Sequence, residues 1–203
     1  NREVNKLSHG LLKLGISKGD KVAFMMKNSD TFVFSYFAGA KIGAVIVPMN
    51  FRLTSSEIQY IREQSEAKVV ICDEEFEGTI AKAIPGSAVE NVIVVGTPTI
   101  SENSSYREVL SINEEDPTVE VLETDDLEIL YTSGTTGRPK GALFDHRRIF
   151  NVGLSMMISM GINQQERFLH IAPLFHSAQL NLFLVSGTVL GATHFIHRDF
   201  HPV

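Results

Sequence analysis

Between residues 3 and 95, short apolar runs alternate with amphipathic stretches, and that rhythm leaves few folds open to the chain. Val4, Leu7, Leu11 and Leu14 recur at three- and four-residue steps, so residues 3–14 read as a helix with one apolar face. Gly15 and the turn-like Ser17-Lys18-Gly19-Asp20 end it, and Lys21–Met26 is a short apolar run suited to a buried strand. Asn28, Ser29 and Asp30 are good caps for a helix over 30–42. Gly43 closes that helix, and Ala44–Val47 reads as the next strand, leaving through Pro48. Thr54 and Glu57 have capping-box spacing for a helix over 55–65. Strand 68–72, helix 74–84, the Pro85-Gly86 break and strand 91–95 complete the alternation. The pattern predicts an α/β fold: doubly wound, mostly parallel sheets with helices on both faces.

Beyond residue 96 the rhythm changes. Thr97–Ser105 has loop composition, and a short helix is expected around 105–111. An acidic connection follows, in which Glu114, Glu115, Asp116, Glu120, Glu123, Asp125, Asp126 and Glu128 occur with no Lys or Arg between Arg107 and Arg138. Its plain reading is a solvated linker. The chain thus divides into a first α/β subdomain segment (1–112), the acidic connection (113–126), and a segment (127–203) that starts the next α/β portion. In that last segment, strands at 127–131 and 141–145 flank a Gly-rich loop. Next come a helix over 147–160, with Met156, Met157 and Met160 as core packing, and a strand at 167–172. An apolar helix from His176 to Leu190 and a strand at 192–196 complete the pattern.

The loop itself reads Tyr131-Thr-Ser-Gly-Thr-Thr-Gly-Arg-Pro-Lys-Gly141. Gly134 and Gly137 let the backbone turn sharply and approach a ligand closely, and successive N–H groups in such a loop form a nest for phosphate oxygens. Thr132, Ser133, Thr135 and Thr136 add hydroxyls, Lys140 adds charge, and Pro139 stiffens the exit. A Walker-type loop is excluded, because Pro139 stands where the second Gly is required and Gly141 where the metal-binding hydroxyl is required. A dinucleotide fingerprint is excluded too, since no Gly-x-Gly pair opens a helix.

Composition narrows the partners. A net charge of −6 over 203 residues argues against a general nucleic-acid or anionic-membrane binder. Cys72 is the sole cysteine and lies in the apolar run Val69–Cys72, so it reads as a buried structural thiol and cytoplasmic residence is the simpler inference. No stretch reaches the ~18 apolar residues of a membrane helix. The chain opens at Asn1 inside a helix pattern and stops shortly after a strand pattern, as a fragment of a longer protein would.

The eleven residues 131–141, with one free position at Arg138, resemble the phosphate-loop signature of the adenylate-forming (AMP-binding) enzymes: acyl-CoA synthetases, luciferases and peptide-synthetase adenylation domains. Two further segments agree in identity and order. Lys41–Asn50 with Arg52 and Leu53 resembles the family's early Gly-Ala…Val-Pro-x-Asn segment, and Pro173-Leu174-Phe175-His176 resembles its Pro-Leu/Met-Phe-His segment. The resemblance implies an ATP-dependent acid–thiol ligase. It would join a carboxylic acid, in the first instance a fatty acid, to the α-phosphate of Mg-ATP and then pass the acyl group to coenzyme A.

The resemblance assigns the phosphates to Thr132, Ser133, Gly134, Thr135, Thr136, Gly137 and Lys140, the Mg2+ neighbour to Thr132, and the acyl pocket's catalytic position to His176. Arg138, at the variable position, is expected to face solvent. Implied partners are the acid, ATP and CoA, with no nucleic acid and no transmembrane segment; peripheral membrane contact and a homodimer remain open. The family's Tyr-Gly-x-Thr-Glu segment, ribose-binding Asp, hinge and catalytic Lys are absent from the 203 residues, so the fragment is expected to be inactive alone. Two alternatives stay open: an adenylation domain loading an amino or aryl acid onto a carrier protein, and a non-catalytic nucleotide-binding module.

Overall fold

The computed structural model describes residues 1–132 and 138–200. Seven strands form one sheet: β1 (Lys21–Met25), β2 (Val45–Pro48), β3 (Val69–Asp73), β4 (Asn91–Val95), β5 (Ser104–Ser105), β6 (Asp126–Thr132) and β7 (Lys140–Asp145). Their spatial order is β5-β4-β3-β1-β2-β6-β7, parallel throughout except for the antiparallel β6–β7 hairpin. The mostly parallel α/β architecture read from the sequence is what the chain forms.

Successive strand residues point to opposite faces, and each face has its own core. Val22, Phe24, Ile46, Val69 and Ile71 pack with Leu7 and Leu11 of α1 (Arg2–Lys13) and Phe32 and Tyr36 of α2 (Asp30–Lys41). Ala23, Met25, Val47, Val70 and Cys72 pack with Ile58 and Ile61 of α3 (Ser55–Ser65) and Ile80 of α4 (Glu77–Ala83). Helices therefore cover both faces, and the inner strands bury their side chains on each. Ser29 caps α2 by accepting a hydrogen bond from the Phe32 amide at 3.1 Å. Glu57 accepts from the Thr54 amide at 2.8 Å and its hydroxyl at 2.7 Å, holding the start of α3.

Three segments differ from the sequence expectation; one is the helix expected over 176–190, which is a π-type helix at Ala178–Val185 followed by a short α-helix at Ser186–Leu190. The helix expected over 74–84 is a 3-10 turn at Glu74–Phe76 followed by α4, and Glu77 at their junction is buried. Its carboxylate accepts from the Ile100 amide at 3.2 Å and Asn103 Nδ2 at 2.8 Å, which ties the 97–103 loop across the start of α4. The acidic connection is not free in solvent. Glu114 pairs with Lys6 at 3.1 Å, Asp125 with Lys18 at 2.6 Å, Glu123 with Arg147 at 2.5 Å, and Asp116 with Lys41. Those contacts tie the segment to α1, α2, the turn after α1 and the residues just after β7, and β6 then re-enters the same sheet beside β2, with Ile46 opposite Glu128.

After β5 comes a short helix, α5 (Tyr106–Val109), and a second layer begins with α6 (His146–Met160), whose start is capped by Asp145 accepting from the Arg148 amide at 2.7 Å. A parallel pair follows, β8 (Arg167–His170) and β9 (Thr193–Ile196), joined through a wide π-type helix at Ala178–Val185 and α7 (Ser186–Leu190). His170 is fully buried between Gln179, 2.5 Å from Nδ1, and His194, 2.8 Å from Nε2. Burial, with His194 adding to it, pushes the His170 imidazole down to about 4.

The sign of its effect on stability follows from that depression. Between the ordinary value of 6.5 and about 4 the unfolded chain takes up a proton that the folded chain refuses, so stability is complete above 6.5 and falls as pH drops. The loss at pH 5 is roughly 1–2 kcal/mol from this group. His170→Phe is therefore expected to lose less melting temperature between pH 7 and pH 5 than the unaltered chain. Equal losses in a thermal-unfolding series would contradict the assignment.

Candidate active site

Parallel strands deliver their carboxyl ends to one rim of the sheet, where open α/β sheets place ligands. Three separate stretches meet there. Pro48, Met49 and Asn50 leave β2, Tyr131 and Thr132 end β6 beside Pro139, and Phe175 and His176 arrive from the second layer. They line a cleft of about 210 Å3 that is walled on one side by Leu53 and by Glu57 and Ile61 of α3. The three motifs singled out in the sequence are thus brought together although 128 residues separate the first from the last (176 − 48 = 128).

Each stretch is held by its own chemistry. Asn50 Oδ1 accepts from the Arg52 amide at 2.9 Å, forming the turn that carries the chain away from β2. Asn28, one of three candidate caps in the sequence, instead clamps the Pro173-Leu174 stretch with its side chain. Nδ2 donates to the Ala172 carbonyl at 2.8 Å, and Oδ1 accepts from the Leu174 amide at 2.7 Å. Phe175 is buried edge-on against Phe51 at 5.4 Å, and His176 packs on the Phe175 ring at 4.3 Å. The His176 imidazole is exposed at the cleft. Its carbonyl accepts from the Leu180 amide at 2.9 Å, which fixes the backbone at the foot of the following helix.

Thr132 and Lys140 face each other across the mouth of the β6–β7 hairpin, and Thr132 Oγ1 donates to the Lys140 carbonyl at 3.4 Å. Both residues are exposed. Ser133, Gly134, Thr135, Thr136 and Gly137 lie outside the described residues. Arg138 is exposed, as its variable position suggested, and its guanidinium lies 5.3 Å from the centre of the Tyr60 ring. Among the described residues no group of three or more His, Cys, Asp or Glu side chains forms a metal cage. The cleft's polar lining offers separate oxygens, such as the Thr132 hydroxyl and the Glu57 carboxylate, rather than a cage. A Mg2+ carried in on a phosphate ligand, which needs one or two protein oxygens, would fit such a lining.

The two residues that bound the motif have roles the sequence did not assign. Tyr131 is half-buried, with its hydroxyl 3.5 Å from the Ile61 carbonyl, and burial pushes it up to about 12, so it is a neutral wall of the cleft. Gly141 is paired opposite it across the hairpin. A Cβ at Gly141 would stand 2.7 Å from Ile129 Cγ2 and 3.1 Å from the Tyr131 ring, so the glycine makes room for Ile129 first and for that ring beside it. The glycines expected to matter were those of the turn; this one serves packing. Cys72 is inert as expected, since burial pushes its thiol up to about 12.

Gly141→Ala is therefore expected to displace Ile129 and the Tyr131 ring and to lower stability by about 1–3 kcal/mol. Among the described residues Arg138→Ala gives up an exposed cation–π contact with Tyr60, a loss of at most about 1 kcal/mol. Denaturant unfolding of both variants checks this ranking; a Gly141→Ala protein as stable as the parent would refute the packing role.

Comparison with known proteins gives a consistent result. Residues 1–203 match a family model described as "AMP-binding enzyme". The chain is 35% identical over 191 residues to the long-chain-fatty-acid–CoA ligase FadD13 of Mycobacterium tuberculosis, covering 92% of this chain and 37% of that protein. It is 32% identical over 201 residues to a feruloyl-CoA synthase of Amycolatopsis sp, covering 99% of this chain and 38% of that protein. Among solved structures, it superposes on the inhibitor-bound N-terminal domain of FACL13 from Mycobacterium tuberculosis with a TM-score of 0.90 at 33% identity. That match covers 99% of this chain and 50% of the FACL13 chain. The chain thus spans well under half the length of the curated relatives it matches.

Proposed function

The chain belongs to the AMP-binding enzyme family, and on that premise we propose that the protein it comes from is an ATP-dependent acid–thiol ligase. The observation that carries this reading is the convergence of the β2 exit, the Gly-rich hairpin and the Phe175-His176 stretch on one cleft. A carboxylate is a poor acyl donor, because its charge deters nucleophiles and oxide is a bad leaving group. Adenylation solves this: a carboxylate oxygen attacks the α-phosphorus of ATP, the bond to the bridging oxygen breaks, and pyrophosphate leaves with that electron pair. A thiol then attacks the acyl carbon and AMP departs. The first step depends on positioning and charge neutralisation more than on covalent help from the protein.

Thr132, which lines the cleft, and Lys140, paired opposite it at the hairpin mouth, are proposed to hold the β- and γ-phosphates, together with Ser133, Gly134, Thr135, Thr136 and Gly137. Thr132 is the proposed protein oxygen nearest a Mg2+ carried by the nucleotide. His176, on the other side of the cleft, borders the reacting carboxylate, and the helix that follows it lines the acyl side. The thiol is proposed to be CoA, the acceptor in the names of both relatives, and the acid a fatty or aryl acid, as those names suggest. Among the described residues no helix is long and apolar enough to cross a membrane. Cytoplasmic residence is proposed on the lone, buried Cys72. The segments 1–112, 113–126 and 127–203 are proposed as folding subdivisions within the one sheet-based layer and the second layer.

The full-length protein is expected to show carboxylate-dependent exchange of pyrophosphate into ATP, and the isolated 203 residues none. Absence of exchange with every acid from acetate to oleate and aryl acids would overturn the reading. In single turnover, Lys140→Ala is expected to slow adenylate formation about 100-fold or more, as loss of an oriented charge at a phosphoryl group does, with a smaller effect on acid binding. Unchanged adenylation would remove Lys140 from the site.

A further inference from the structure

Glu128 lies in the middle of β6 with none of its surface exposed, flanked by Ile46 of β2 and Phe144 of β7. Its Oε1 stands 2.6 Å from Asn181 Nδ2, on the π-type helix, and its Oε2 accepts from the Tyr36 hydroxyl of α2 at 3.0 Å. All three side chains are buried, and they form a polar seam through an apolar core. Among the described residues only Asn181 and Tyr36 act on the carboxyl, and no cation answers it. Of the described groups facing it, Tyr36 is the one that titrates, and burial and Glu128 itself hold that hydroxyl neutral.

A buried carboxyl without a cation is stable as the acid and costly as the anion. The 2.6 Å separation is ordinary for a carboxyl O–H donating to an amide oxygen and short for an amide N–H donor. A half-turn of the Asn181 amide exchanges those two roles. Ionisation leaves a bare charge in the core, and it is relieved by parting of the seam. The π-type helix that carries Asn181 is a rare form, found mostly as single turns and frequently at functional sites, and it is the part of the seam that gives. Burial raises the Glu128 carboxyl to about 7, which puts the exchange in the neutral range.

We propose that Glu128 is a proton-dependent positioning residue: as the acid it docks the helix that follows His176 against the strand that ends in Thr132, and as the carboxylate it lets that helix loosen. The proposal rests on the cleft being the adenylation site, and it makes the acyl side of the cleft depend on pH. Carboxylic acid substrates are already ionised above pH 6, so their own titration does not imitate the effect.

The test uses the full-length protein and measures KM for the acid and for ATP from pH 6 to pH 8. The acid KM is expected to rise about fivefold over that range in the unaltered protein and to stay flat in Glu128→Gln, with the ATP KM following one course in both. Tyr36→Phe, which removes a donor to the carboxylate, is expected to move the midpoint to higher pH, and it decides the matter alone if Glu128→Gln does not fold. Identical acid profiles in the unaltered protein and the variants would overturn the proposal. Failure of the unaltered protein to form any adenylate would instead sink the functional reading. Amide exchange of residues 180–184 then still tests the positioning role: protection lost above pH 7 in the unaltered protein but not in Glu128→Gln supports it, and equal protection overturns it.

Discussion

Parallel pairing of β6 with β2, with Ile46 opposite Glu128, sets the carboxyl ends of both strands at the same rim of the sheet. The pairing is short, and it decides where the Gly-rich hairpin opens. Because β2 leaves that rim through Pro48 and Asn50, Thr132 and Pro139 at the hairpin mouth face the turn that begins α3. A one-residue slip would turn the side chains of β6 to the opposite face, taking Tyr131 from the cleft wall and Leu130 from the core. The acidic connection contributes to that register from outside the sheet. Its ion pairs to Lys6, Lys18 and Lys41 are exposed and individually weak, yet together they fix the path by which the chain reaches β6.

The second layer is attached to the first by buried polar groups rather than by apolar packing alone. Asn28 grips the Pro173-Leu174 stretch with both ends of its amide, and Glu128 reaches Asn181 through the core. Such groups are costly to bury unless their partners are in place, so they favour one arrangement of the layers over its near neighbours. Phe51 and Phe175 add an edge-on aromatic contact beside the cleft. The outcome is that His176 and Thr132, which belong to different layers, line the same small space.

Much of this was legible in the sequence because it rests on local rules. The Thr54 and Glu57 capping box, the Ser29 cap and the strand-loop-strand form around residues 131–141 follow from short-range chemistry, and each is present. The parallel sheet follows from apolar runs buried on both faces. What sequence reading missed was long-range. Glu128 read as one more charge in an acidic run, although its place in the apolar strand Leu127–Leu130 was a signal that it faces a core. Asn28 looked like a cap, because nothing local says that Leu174 will come to lie against it. The regular helix expected from His176 onward became a π-type turn in which Gln179 and Asn181 both reach buried partners. Phosphate-loop residues 133–137 were recognised by their pattern and lie outside the described residues.

If a carboxylic acid and ATP meet in the cleft between the hairpin and His176, a mimic of their joint product must lodge there. The most direct measurement is a crystal structure of the full-length protein with a non-hydrolysable acyl-adenylate mimic, in which a sulfamate replaces the phosphate ester. The sulfamate is expected at the mouth of the hairpin beside Thr132 and Lys140, with the acyl carbonyl towards His176. A mimic seated elsewhere, with the cleft between Pro48, Tyr131 and Phe175 left to solvent, would contradict that placement.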